Sequence, residues 1–143
     1  PFRHLSEMAA SWEQEALGDV EDWADPGLTR EGIHLMQELA GSGPQQALLS
    51  TDLHAGNVLR ATRKPWLAID PKPFVGDTAY DATQHLFNCG DRLRADPNGT
   101  IRRFADLLEV DHKRVRLWLF AREAVDLRRD AHGSGSLVRA LAP

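Results

Sequence analysis

Between positions 50 and 81 the chain carries Asp52, His54, Asn57, Asp70, Asp77 and Asp81, a density of oxygen-bearing side chains that suits a hard cation, magnesium above all. Asn57 opens one apolar run and Asp70 closes the next. Antiparallel pairing of the two runs would bring amide and carboxylate side by side as oxygen ligands for one ion. Asp52 precedes Asn57 by five residues, in the loop entering the pair. There it is close to the metal yet free to accept a proton from a hydroxyl nucleophile. A base, a metal-binding Asn and a metal-binding Asp form the arrangement by which kinases transfer phosphoryl groups, a reaction catalysed mainly by positioning and charge neutralisation.

These residues need elements to hold them. Asn57-Val58-Leu59-Arg60-Ala61 and Trp66-Leu67-Ala68-Ile69-Asp70 are strand-like runs joined by the turn Thr62-Arg63-Lys64-Pro65, which predicts a hairpin. Ala47-Leu48-Leu49 predicts another short strand. Helices flank this centre. Leu5, Met8, Ala9 and Trp12 follow the spacing of an amphipathic helix, which Gly18 and then Asp25-Pro26-Gly27 should end. Thr29 is placed to cap a second helix bearing Ile33, Met36 and Ala40, closed by Gly41-Ser42-Gly43-Pro44. Further helices are expected over 80–88, 101–108 and 112–130. Ile101, Phe104, Ala105 and Leu108 share one face of the middle one, and Asp111 caps the last. Cys89 is expected as a small core residue on a helix, and Gly133-Ser134-Gly135-Ser136 as flexible chain.

The stretch Ser50-Thr51-Asp52-Leu53-His54-Ala55-Gly56-Asn57 closely resembles the catalytic loop of the aminoglycoside phosphotransferase family, H-G-D-x-H-x-x-N. Ile69-Asp70-Pro71-Lys72, followed by Gly76-Asp77-Thr78-Ala79-Tyr80-Asp81, resembles that family's metal-binding segment, I-D-P-K and then G-D-P-x-Y-D. The combination is most similar to the branch containing streptomycin and hydroxyurea phosphotransferases. The resemblance implies that Asp52 is the catalytic base, Asn57 a magnesium ligand and Asp70 a second magnesium ligand bridging the phosphates of ATP. It implies that His54, Asp77 and Asp81 shape the loop, and Asp77 is also placed to cap the helix starting near Tyr80. The fold implied is α+β, mainly α-helical: a protein-kinase-like C-terminal lobe with a short β-hairpin carrying the catalytic and metal-binding loops.

The resemblance covers most of residues 1–131 and matches only the C-terminal lobe, with 132–143 expected as a flexible tail. Two departures stand out. Ser50-Thr51 replaces the family's His-Gly, and β-branched Thr disfavours conformations open to Gly. No Lys precedes Lys64 and no glycine-rich nucleotide loop occurs, so the N-terminal nucleotide-binding lobe is expected to be absent from this chain, with Pro1 a cut edge. The expected function is ATP-dependent transfer of the γ-phosphate to a hydroxyl of an aminoglycoside-like (streptomycin-type) or similar small polar molecule, conferring antibiotic resistance. This chain alone should be inactive. A non-catalytic kinase remnant that binds a small molecule or partner is the alternative; a two-metal hydrolase ranks last, because no second ligand cluster occurs.

Composition narrows the partners. No apolar run approaches the roughly 20 residues of a membrane span, and the basic residues are dispersed without a nucleic-acid motif. Neither a membrane nor nucleic acid is therefore expected as a partner. A single cysteine, Cys89, suits a reducing cytoplasmic home. Charge is uneven: residues 1–49 carry a net −7 and residues 50–143 a net +3. Glu13, Glu15, Asp19, Glu21, Asp22 and Asp25, with Trp12 and Trp23 among them, could line a site for a cationic substrate. Apolar surface left bare by a missing lobe should favour self-association.

Overall fold

Trp118, Leu119, Phe120 and Ala121 are four consecutive buried side chains on helix α6 (His112–Val125), around which most of the other helices pack. The computed structural model describes residues 1–128 and 134–143. Along the chain come β1 (Arg3–His4), α1 (Leu5–Gly18), a 3-10 turn (Val20–Asp22), α2 (Pro26–Gly41) and β2 (Gln46–Leu49). A second 3-10 turn (Ala55–Asn57), β3 (Val58–Arg60), β4 (Trp66–Ala68) and β5 (Phe74–Asp77) follow. Then come α3 (Thr78–Asn88), α4 (Gly90–Ala95), α5 (Pro97–Leu108), α6 and α7 (Ser134–Leu141). The class is α+β and mainly helical.

Helices α2 and α6 meet closely because Gly32 has no side chain; a Cβ there would lie 2.7 Å from that of Ala124. Helix α2 starts earlier than expected. Asp25 accepts hydrogen bonds from the amides of Gly27 (3.1 Å) and Leu28 (3.2 Å), and Pro26 occupies the first turn, where its missing N–H costs nothing. Thr29 is therefore not a cap but a buried residue inside the helix, and its hydroxyl has no hydrogen-bond partner among the described residues.

Two small sheets carry the site. Strand β5 is the centre of one, with β1 parallel beside it (Arg3↔Phe74) and β2 antiparallel on its other edge (Gln46↔Asp77 to Leu49↔Phe74). Gly76 lets α1 pack on this sheet, since a Cβ there would lie 2.5 Å from that of Leu5. The second sheet is the expected hairpin, with Val58↔Ala68, Leu59↔Leu67 and Arg60↔Trp66 in register. Its Leu59, Trp66, Leu67 and Ile69 side chains are exposed.

Three further expectations are corrected. The tail expected to be flexible is helical over 134–141, where Leu137, Val138 and Leu141 are buried and outweigh the low helix propensity of Gly and Ser. Arg116 closes this helix by donating to the carbonyls of Ala140 (2.9 Å), Leu141 (3.1 Å) and Ala142 (3.2 Å). Positions 132 and 133 of that tail lie outside the described residues. The helix expected over 112–130 stops at Val125, and positions 129 and 130 also lie outside them. Cys89 is exposed at the junction of α3 and α4 rather than in the core.

Candidate active site

The loop after β2 is held from helix α3. Asp81, in the first turn of α3, accepts from the Ser50 amide at 2.9 Å through Oδ2 and from the Thr51 amide at 2.8 Å through Oδ1. Thr51 is buried and has φ of 48°, a left-handed conformation that costs an L-residue about 1–2 kcal/mol. Its hydroxyl donates to the Lys72 carbonyl at 2.5 Å, and the Lys72 amide donates to the Ser50 carbonyl at 3.1 Å. Loop 50–51 and residue 72 are thus stitched together from both sides. These bonds let Thr51 occupy the place where a glycine would bend freely.

Asp52 follows, with its side chain 25% exposed. The Lys72 ammonium donates to its carboxylate and holds its pKa below the ordinary carboxylate value; partial burial opposes this shift, and the charges of His54 and Arg122 assist it. The same hydrogen bond raises the Lys72 ammonium above its usual value, and Asp70 adds its charge in that direction.

The Asn57 side-chain amide donates to the Asp52 carbonyl at 3.0 Å, leaving its Oδ1 without a hydrogen bond among the described residues. His54 Nδ1 accepts from the Gly56 amide at 3.1 Å and begins the 3-10 turn that delivers Asn57. The Ile69 amide donates to the Asn57 carbonyl at 2.9 Å, extending the hairpin pairing by one step. Asp70 comes next at the same mouth of the hairpin. It is exposed, its φ is 50°, and its carboxylate has no hydrogen bond or ion pair among the described residues.

Among the described residues no three His, Cys, Asp or Glu side chains gather into a metal-binding group. Asn57 Oδ1 and the Asp70 carboxylate still fit magnesium, which keeps several waters and takes one or two protein oxygens beside substrate phosphates. Asp77 is not at this mouth. Only 1% exposed, it caps α3 through the Ala79 amide (3.1 Å), accepts from Trp118 Nε1 (2.7 Å) and pairs with Arg114 Nε. Arg114 also donates to the Leu39 carbonyl at 2.8 Å, so this buried carboxylate ties α2, α3 and α6.

The six acids of the N-terminal segment are not brought together at the loop. Asp19 lies 3.7 Å from Arg128, and Asp25 caps α2 and lies 3.6 Å from Arg139. Glu13 accepts from Gln37. Glu15, Glu21 and Asp22 are exposed and make no ion pair among the described residues.

Two functional candidates escaped the sequence reading. Lys72 was visible only as part of I-D-P-K. Arg122 carried no local signal, because its surroundings come from other helices. Its guanidinium lies 4.7, 5.1 and 5.5 Å from the rings of Phe87, Tyr80 and Trp12, and it donates to Thr83 Oγ1 (2.5 Å) and Gln84 Oε1 (3.2 Å).

A loop carboxylate followed by an amide oxygen and a second carboxylate at one end of a hairpin is a set of groups suited to phosphoryl transfer. The aminoglycoside/hydroxyurea antibiotic resistance kinases match residues 2–131, and the chain belongs to that family. It is 39% identical over 130 residues to a streptomycin 6-kinase of Streptomyces griseus and 36% identical over 130 residues to that of Streptomyces glaucescens, covering 85% of this chain and 42% of each relative. It is also 39% identical over 128 residues to a hydroxyurea phosphotransferase of Kitasatospora aureofaciens, covering 85% of this chain and 36% of that relative. The chain thus spans about two fifths of the length of the curated relatives it matches. No solved structure matches it. Among the described residues no helix is long and apolar enough to cross a membrane.

Proposed function

We propose that this chain is the catalytic and substrate-binding part of a phosphotransferase that moves the γ-phosphate of ATP onto a hydroxyl of a small polar molecule. The observation that carries this reading is the bond from the Asn57 amide to the Asp52 carbonyl. It ties the Asn57 side chain to the Asp52 backbone and leaves Asn57 Oδ1 without a hydrogen bond among the described residues, at the end of the hairpin that Asp70 also borders. A substrate hydroxyl beside Asp52 gives its proton to the carboxylate while its oxygen forms a bond to the γ-phosphorus. The bond from that phosphorus to the β–γ bridging oxygen breaks, and ADP leaves with the electron pair. Magnesium held by Asn57 and Asp70 would supply charge neutralisation on the phosphates.

His54, Asp77 and Asp81 serve this site by position: His54 starts the turn to Asn57, Asp81 anchors loop 50–51, and Asp77 fixes α3 beneath it. Residues 1–131 then form a protein-kinase-like C-terminal lobe, and a nucleotide-holding lobe elsewhere in the whole protein covers the exposed face of the hairpin. The chain alone is inactive on this view. Aminoglycosides of the streptomycin type are the preferred substrates.

Incubating the whole protein with magnesium, ATP and either streptomycin or hydroxyurea tests the reading by mass spectrometry of the acceptor. Gain of one phosphate with equimolar ADP is expected. ATP left intact in the presence of every hydroxyl-bearing acceptor tried would refute it.

A further inference from the structure

We propose that Lys72 is a further catalytic residue: its ammonium leaves the Asp52 carboxylate and binds an oxygen of the phosphoryl group in transfer. The inference rests on the phosphotransferase reading and adds a role that the sequence pattern did not assign. Lys72 has a fixed backbone and an exposed side chain. Its amide is bonded to the Ser50 carbonyl and its carbonyl to the Thr51 hydroxyl, so its Cα is fixed to the catalytic loop. Its side chain is nevertheless 63% exposed, with the ammonium anchored at one point on Asp52. An ammonium on a flexible stem, bonded to Asp52 and two residues along the chain from Asp70, is within reach of a group passing between the two carboxylates.

Other cations do not fill that role. Arg60, Arg63 and Lys64 lie on β3 and in the hairpin turn, at the other end of the hairpin from Asn57 and Asp70. Arg122 is held among three rings, Thr83 and Gln84. His54 uses Nδ1 to accept from Gly56. During transfer the acceptor oxygen bonds to phosphorus, ADP departs with the bridging electron pair, and the acceptor proton goes to Asp52. Lys72 makes and breaks no covalent bond. By moving from Asp52 to the phosphoryl oxygen it frees the base as it neutralises the charge.

The test compares wild type, Lys72→Met and Lys72→Arg in the whole protein, by steady-state kinetics and by calorimetry with magnesium–ATP and magnesium–ADP. Lys72→Met should lower kcat by about 10²–10³-fold, the usual effect of removing one donor aimed at developing charge, with the KM of the acceptor little changed. It should weaken magnesium–ATP binding while leaving magnesium–ADP binding unaltered, and Lys72→Arg should restore part of both losses. An exposed side chain permits the change without unfolding, which an unshifted thermal midpoint would verify. Equal effects on the two nucleotides, or an unaltered kcat, would overturn the proposal while leaving the phosphotransferase reading intact. A wild-type protein that neither transfers phosphate nor binds nucleotide would overturn both.

Discussion

The Thr51 hydroxyl donates to the Lys72 carbonyl at 2.5 Å, and this bond joins the loop carrying Asp52 to the segment that follows Asp70. Thr51 bears left-handed strain where the family pattern has glycine. Thr51→Val keeps the strain and removes the donor, so it should destabilise the protein by about 1–3 kcal/mol in urea denaturation. Thr51→Gly loses the bond but relieves the strain and should stay within about 1 kcal/mol of wild type. A valine variant as stable as wild type would show that the hydroxyl contributes nothing.

Asp77 joins three helices from a position almost without solvent contact. Asp77→Ala removes the charge partner of the Arg114 guanidinium, which keeps only neutral acceptors, and the acceptor of the Trp118 indole N–H. Removing one partner of a buried pair costs about 3–5 kcal/mol, which equilibrium unfolding would reveal. A loss below about 1 kcal/mol would mean that water replaces the carboxylate.

Much of this arrangement was legible because its signals are local. The turn 62–65 between two apolar runs marks the hairpin, and type and spacing single out Asp52, Asn57 and Asp70 as candidates, of which Asn57 and Asp70 border the same end of that hairpin. What was missed depends on distant partners. Strand β1 pairs Arg3 with Phe74, and residue types at either place say nothing of the other. Asp25-Pro26 reads equally as the end of one helix or the cap and first turn of the next, and the capping bonds decide for the latter. Helix α7 was hidden by Gly and Ser, because burial of Leu137, Val138 and Leu141 sets its structure. The Lys72–Asp52 contact arises only once Ser50 and Thr51 hold residue 72.

Tyr80 is the chain's one tyrosine, so its titration can be read without interference. Burial pushes its phenol from 10.0 up to about 12, with the Arg122 charge opposing the shift. The folded state therefore holds the phenolic proton more tightly than the unfolded chain. Stability is complete below pH 10 and falls by up to about 1.4 kcal/mol per pH unit as pH rises from there toward 12. Ultraviolet titration of the folded chain should give a midpoint near the upper value; a midpoint at 10 with the fold retained would contradict the packing around Tyr80.

Trp66 is 60% exposed, Leu67 51% and Leu59 45%, three large apolar side chains on one hairpin. If another lobe covers them in the whole protein, the 143-residue chain alone should self-associate as its concentration rises. Trp66→Asp with Leu67→Asp should return it to a monomer. Light scattering that finds a monomer for the unaltered chain at every concentration would count against a covered hairpin.

The central claim is that Asp52 takes the proton of the acceptor hydroxyl. The direct measurement is the rate of phosphate transfer by the whole protein, wild type against Asp52→Ala, with magnesium–ATP affinity determined in parallel. Loss of a general base should lower kcat by about 10²–10⁴-fold with nucleotide binding retained. Equal turnover in the two proteins would contradict the account.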